Sequence, residues 1–110
     1  MAESDFVAKH CIPCSLHTPA LNENEIKQRL QKLNSWIYAE GAISREFRFK
    51  NYEETTAFVN AVAWIAHRED HHPDICFGYH TCWVSFKTHK INGMSENDFI
   101  AAAKVDALLE

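Results

Sequence analysis

Three stretches of the chain repeat apolar residues at the spacing of an α-helix. They carry Ile26, Leu30 and Leu33 in the first stretch, Phe58, Ala61, Val62 and Ile65 in the second, and Phe99, Ile100, Ala103 and Ala107 in the third. Residues three or four positions apart share one helix face. Each stretch therefore predicts a helix with an apolar side to bury.

Each of these stretches is also preceded by a pair of residues that marks a helix start. An Asn or Ser is followed three positions later by an acid, in the pairs Asn22–Glu25, Asn51–Glu54 and Ser95–Asp98. The cap side chain accepts a hydrogen bond from the backbone of the acidic residue, whose carboxylate accepts one from the backbone of the cap. Three helices are predicted, each starting just after its cap.

Between the helices, apolar and polar residues alternate with the period of β-strands. In "WIYAEGAISREFRFK", Glu40-Gly41 separates two β-rich segments, and later "DICFG" is followed by "TCWVSFK". Both patterns indicate hairpins. The order α-β-β-α-β-β-α then predicts an α+β fold, in which a four-stranded antiparallel sheet has three helices packed on one face.

The length of 110 residues corresponds to one domain. It is predicted to span residues 21–110, after an irregular N-terminal arm at residues 1–20 that holds two prolines and no periodic pattern.

A short sheet leaves unpaired edges, and these favour a symmetric homodimer.

Charge and composition exclude several kinds of partner. The formal net charge is −4 and no run of Lys and Arg is present, so direct binding to nucleic acid is not expected. No apolar run approaches the ~20 residues that span a bilayer. The opening "MAESDFVAKH" lacks the features of a signal peptide, so the predicted location is cytoplasmic, with no membrane partner. The four cysteines are expected to be thiols.

Five of the seven histidines lie between positions 67 and 89, namely His67, His71, His72, His80 and His89. Imidazole gives and accepts protons near neutral pH, so this cluster is a candidate acid–base site. On the predicted fold these residues fall at element boundaries, where side chains can converge on a pocket. An alternative is that His71 and His72 only cap the carbonyls at the end of the second helix.

A metal site is a second alternative for the histidines. His67 and His71 are four residues apart and could share a helix face, with His80 or His89 as a third ligand. No carboxylate or cysteine lies at a recognised ligand spacing around them, and "HCIPCSLH" lacks the second half of a zinc ribbon. Neither a metal nor another cofactor is expected.

The same residues resemble the signature of the pterin-4a-carbinolamine dehydratases. An ionisable residue, a His-His-Pro, an aromatic, a further His and a later Asp occur at the spacing of that family, as His67, His71-His72-Pro73, Tyr79, His89 and Asp98. The segments "FVNAVAWIA" and "GMSENDFIAAAK" also resemble helices of the family. The resemblance covers about residues 20–110.

This resemblance implies a hydro-lyase, a 4a-hydroxytetrahydrobiopterin dehydratase. Such enzymes remove water from the 4a-hydroxytetrahydropterin left by aromatic amino-acid hydroxylases and yield quinonoid dihydropterin for tetrahydrobiopterin recycling. The resemblance assigns catalysis to His71, His72 and His89, and substrate binding to these three with His67 and Pro73. We assign acid and base roles to His72 and His89, with His71 orienting the pterin. Many family members have Glu where this chain has His67.

Two residues of the signature have a simpler structural explanation. Tyr79 enters a strand and is expected in the core, and Asp98 is accounted for by the capping box of the third helix. Neither is placed in the catalytic set.

The resemblance also implies homodimers or homotetramers that assemble through sheet edges and helices. It carries an alternative to catalysis, because relatives include dimerisation partners of a transcriptional regulator and proteins linked to molybdenum-cofactor function. The alternative function is a non-catalytic binding or protein-partner module.

Overall fold

The computed structural model describes residues 4–15 and 17–110, and it has the predicted element order with one addition at the N-terminus. The helices are α1 Ser4–Val7, α2 Glu23–Leu30, α3 Tyr52–Glu69 and α4 Glu96–Ala107, with a short 3-10 helix at His89–Ile91. The strands are β1 Ile37–Ala39, β2 Ala42–Arg48, β3 Asp74–Phe77 and β4 Thr81–Phe86. Residues 1–3 and 16 of the predicted arm lie outside the described residues.

Helix α1 was not predicted, since it comprises a single turn without a periodic pattern. Its Phe6 is buried against Phe99 of α4, with ring centroids 6.2 Å apart. Lys104 of α4 donates a hydrogen bond to the Val7 carbonyl at 2.8 Å. The start of the arm is therefore attached to the core.

The three predicted helix starts are confirmed, because α2, α3 and α4 follow Asn22, Asn51 and Ser95. In α2 the reciprocal pair is complete, with both hydrogen bonds between Asn22 and Glu25 at 2.9 Å. In α3, Asn51 accepts from the Glu54 N–H at 2.8 Å, whereas the Glu54 carboxylate accepts from the Lys50 N–H.

The four strands form one antiparallel sheet in the order β1-β2-β4-β3. Ile43 pairs with Phe86, and Phe47 pairs with Cys82, so their side chains share the face that the helices bury. Phe58 of α3 packs on Phe47, with ring centroids 4.7 Å apart. The predicted fold class is confirmed.

The first hairpin turns at the predicted residues. Glu40 and Gly41 have φ angles of 54° and 80°, and they connect Ala39 to its partner Ala42. Two left-handed residues in a two-residue loop match the right-handed twist of the paired strands.

The prediction that Tyr79 belongs to the core is wrong. Strand β3 ends at Phe77, and Gly78 donates a backbone hydrogen bond to Thr81 at 2.9 Å, which turns the chain outward. Tyr79 is 64% exposed and lies beside the ring of Tyr52, with centroids 6.2 Å apart.

Strands β1 and β3 lie at the two edges of the sheet. Assembly of dimers or tetramers through these edges stays a prediction. In the described part of the chain, none of the helices combines the length and the hydropathy needed to cross a bilayer.

Candidate active site

A cleft of about 460 Å³ opens where the end of α3, the segment after β4 and the start of α4 meet. His71 and His72 follow α3, and His89 begins the 3-10 helix after β4. All three line the cleft, together with the basic residues Arg68, Lys87 and Lys90. The fold therefore brings three imidazoles from two segments of the chain to one concave surface.

The way α3 ends directs the histidine pair toward the cleft. Asp70 has left-handed backbone angles, with φ 51°, and terminates the helix. The His71 N–H then donates to the Ala66 carbonyl at 3.1 Å, in the pattern that closes many helix ends. Pro73 comes directly after the pair and restricts His72 to an extended backbone.

The His71 side chain is anchored by Asp98. Nε2 of His71 lies 2.6 Å from Oδ1 of Asp98, and the His71 ring stacks on Phe86 at a centroid distance of 6.0 Å and an angle of 9°. The backbone of His71, rather than its side chain, thus satisfies the helix end. The imidazole of His71 therefore does not cap the carbonyls at the end of α3, as the capping alternative requires.

Asp98 is the centre of a buried polar network. The carboxylate is 0% exposed, and its Oδ2 accepts from the Ser95 N–H at 3.0 Å and from the Thr88 hydroxyl at 2.8 Å. Thr88 in turn lies 2.6 Å from the Ser95 hydroxyl. An ionised carboxylate only accepts hydrogen bonds, so the hydrogen bond to Asp98 selects the form of His71 in which Nε2 is the donor.

Asp98 therefore has a second function beyond the capping box. Sequence reasoning explained it as a helix cap and left it out of the site. The capping contact from Ser95 is present, but the other carboxylate oxygen fixes His71. Its place in the resemblance signature was the only sequence signal for this second role.

His72 and His89 differ from His71 because both side chains are exposed in the cleft. Both residues are therefore in a position to meet a molecule bound in the cleft. His71 offers a fixed imidazole, and His72 and His89 offer two that can exchange protons with a ligand and with water.

His67 lies outside the cleft. Its exposed ring packs on Trp64 in the same helix, with centroids 5.4 Å apart and an angle of 33°. Substrate contact by His67 stays a prediction, and its position in one chain does not favour it. Pro73 has the backbone role described above, and its contact with substrate also stays a prediction.

The metal alternative receives no structural support. Within residues 4–15 and 17–110, no group of three or more His, Cys, Asp or Glu side chains comes together as a metal site. His67 and His71, the proposed pair of ligands, make separate contacts with Trp64 and Asp98.

One wall of the cleft comes from the N-terminal arm, through Cys11, Ile12, Pro13 and Cys14. Sequence reasoning did not place these residues in the site. These residues contact side chains that lie far along the chain, and no periodic pattern in the sequence indicates such contacts.

The cysteines are expected to differ in reactivity. Burial, reinforced by the charge of Glu69, raises the pKa of the Cys11 thiol to about 12, and burial raises that of Cys82 to about 11. Iodoacetamide reacts with thiolates, so at pH 8 exposed Cys76 should be labelled more than about tenfold faster than Cys11 or Cys82. Mass spectrometry of timed samples measures this, with labelling in urea as the control. Equal rates for Cys11 and Cys76 in the folded protein would contradict the expectation.

Comparisons with known proteins give a consistent assignment. Residues 19–108 match the family described as Pterin 4 alpha carbinolamine dehydratase. A protein of Nitrosospira multiformis is 55% identical over 106 residues, which cover 96% of this chain and 94% of that protein. A protein of Legionella pneumophila is 52% identical over 109 residues and 96% of each chain. Their names describe both as candidate pterin-4-alpha-carbinolamine dehydratases.

Two solved structures have the same fold. A transcriptional coactivator/pterin dehydratase from Brucella melitensis has a TM-score of 0.80 and 32% identity, over 84% of this chain and 100% of that one. A pterin dehydratase-like protein, identified as a RuBisCO assembly factor in the alpha-carboxysome, has a TM-score of 0.59 and 28% identity, over 68% and 89% of the two chains. From its matched residues and its close relatives, the chain belongs to the pterin-4a-carbinolamine dehydratase family.

Proposed function

We propose that this protein is a hydro-lyase that dehydrates 4a-hydroxytetrahydropterin to quinonoid dihydropterin. The observation that carries the proposal is the presence of His71, His72 and His89 in one cleft of about 460 Å³. That volume lies within the range typical of small-molecule sites. Membership of the family supplies the substrate class.

The reaction requires one proton to be given and one to be taken. The bond between C4a and its oxygen breaks, and hydroxide is a poor leaving group, so an acid must protonate that oxygen. A base removes the proton from N5, and a double bond forms between N5 and C4a. The products are water and quinonoid dihydropterin, and the number of protons on the enzyme is unchanged.

The surroundings of the three imidazoles favour different roles for them. His71 is tied to buried Asp98, which suits a group that orients the pterin. His72 and His89 are exposed in the cleft and suit the acid and the base. General acid–base catalysis by a positioned imidazole contributes about 10²–10⁴-fold to a rate.

A direct assay tests the proposal. Freshly generated 4a-hydroxytetrahydropterin loses water slowly by itself, and the protein should accelerate the ultraviolet change that accompanies this loss. The rate should rise linearly with protein concentration and survive addition of a chelator. No acceleration at micromolar protein would overturn the proposal, and loss of activity with chelator would point to a metal enzyme.

A second candidate function is a non-catalytic protein-partner module. The observation that favours it is the structural similarity to the protein identified as a RuBisCO assembly factor. Absence of dehydration, together with retention of the folded state, would favour this candidate. Service to an aromatic amino-acid hydroxylase, pterin recycling and a cytoplasmic location stay predictions under the first candidate.

A further inference from the structure

The arm wall, which we define as Cys11–Cys14, is held at the cleft by two buried polar side chains. The side chain of Glu69 at the end of α3 is only 6% exposed, and Asn97 in the first turn of α4 is 6% exposed as a whole residue. Both direct their polar atoms at the backbone of the arm. Burying such groups is unfavourable unless they are paired, so their positions define where the arm must lie.

Glu69 anchors the first residue of the arm wall. Its Oε1 accepts from the Cys11 N–H at 2.7 Å, and its Oε2 lies 3.0 Å from Nδ1 of His10. Burial alone would raise the pKa of Glu69, but the hydrogen bonds from Cys11 and His10 and the charge of Lys104 hold it below its usual value. The carboxylate is therefore ionised at neutral pH and makes charge-assisted bonds to the arm.

Asn97 fixes Ile12 through both ends of its amide. Oδ1 accepts from the Ile12 N–H at 3.0 Å, and Nδ2 donates to the Ile12 carbonyl at 2.6 Å. The next residue, Pro13, restricts Ile12 to an extended conformation. The backbone of Ile12 is thus held in one position, although Ile12 itself lies in no helix or strand.

The side chain that this arrangement holds is apolar and open to water. Ile12 is 71% exposed, yet it lines the same cleft as His71, His72 and His89. Covering an exposed isoleucine with a flat heterocycle would remove apolar surface from water, which is favourable. Because the backbone is already fixed, this contact would need little additional ordering.

We propose that Ile12 is a substrate-binding residue that packs on the bound pterin, and that Glu69 and Asn97 are positioning residues that hold it there. This inference rests on the proposed function for the identity of the ligand. It adds to the histidine site an apolar wall that comes from the opposite end of the sequence.

The test compares Ile12→Ser with the conservative variant Ile12→Val. Removal of the apolar contact should weaken binding of 7,8-dihydrobiopterin, measured by calorimetry, by about tenfold, and Ile12→Val should restore most of it. In the dehydration assay, KM should rise by a similar factor while kcat stays within about twofold, because the contact is uniform in ground and transition states. Leu109→Ser, at another exposed apolar residue outside the cleft, is the matched control and should change neither.

Asn97→Ala separates positioning from contact. If Asn97 acts through Ile12, Asn97→Ala should weaken dihydropterin binding and the double variant with Ile12→Ser should be no weaker than the worse single variant. Additive losses would overturn the positioning role. If Ile12→Ser bound 7,8-dihydrobiopterin within twofold of the unaltered protein, the proposal that Ile12 packs on the pterin would be wrong. If dihydropterin binding depended on Ile12 but no dehydration occurred, the binding role of Ile12 would be retained and only the proposed activity would be wrong.

Discussion

Replacing His72 or His89 with alanine is expected to lower kcat for dehydration by about 10²–10⁴-fold, with the fold intact. Both side chains are exposed in the cleft, so their loss removes a proton donor or acceptor without opening a cavity in the core. The measurement is kcat at neutral pH from the ultraviolet assay, with circular dichroism to verify folding.

His67→Ala is the matched control for these two variants. It removes an exposed imidazole from the same histidine-rich segment, but His67 lies outside the cleft against Trp64. Its kcat should stay within about twofold of the unaltered protein. A normal kcat for either His72→Ala or His89→Ala would reject the assignment of acid and base. A large loss in His67→Ala would show that His67 reaches the substrate.

The second large effect is expected on stability. Asp98→Ala should lower the free energy of unfolding by about 3 kcal/mol or more, because it leaves buried donors without their acceptor. The donors are the Ser95 N–H, the Thr88 hydroxyl and Nε2 of His71. Urea denaturation followed by circular dichroism measures the change.

Glu96→Ala provides the comparison for this stability prediction. Glu96 is an acid in the same first turn of α4, but it is partly exposed and makes surface ion pairs with Lys9 and Arg29. Such pairs contribute about 0–1 kcal/mol each. Equal losses from the two variants would mean that the buried network around Asp98 does not stabilise the fold as described.

The helices and hairpins could be predicted because their signals are local. A cap and an acid three residues later determine a helix start through hydrogen bonds within one turn, as in Asn22 and Glu25. The turn at Glu40-Gly41 is likewise determined by two residues. Tyr79 was misplaced because an aromatic residue that enters a strand is usually buried, whereas Tyr79 lies in the turn between Phe77 and Thr81. The identity of a residue beside a strand does not show on which side of the strand end it lies.

The site was predictable only in part, for a related reason. His71, His72 and His89 stand at element boundaries that the sequence reveals, and the fold brings them together. The hydrogen bond between His71 and Asp98 joins two separate elements, so no local pattern indicates it. The capping box was also sufficient to explain why an acid is at position 98. The arm wall depends on Glu69 and Asn97, whose roles follow from tertiary geometry alone.

The arm that carries Ile12 is tied to the domain on both sides. Upstream, Phe6 is inserted in the core, and downstream the Leu21 N–H donates to the Met94 carbonyl at 2.9 Å. Because the segment is attached at both ends, deleting the arm would remove Phe6 from the core as well as Ile12 from the cleft, so the deletion would lower stability together with any ligand binding that depends on Ile12.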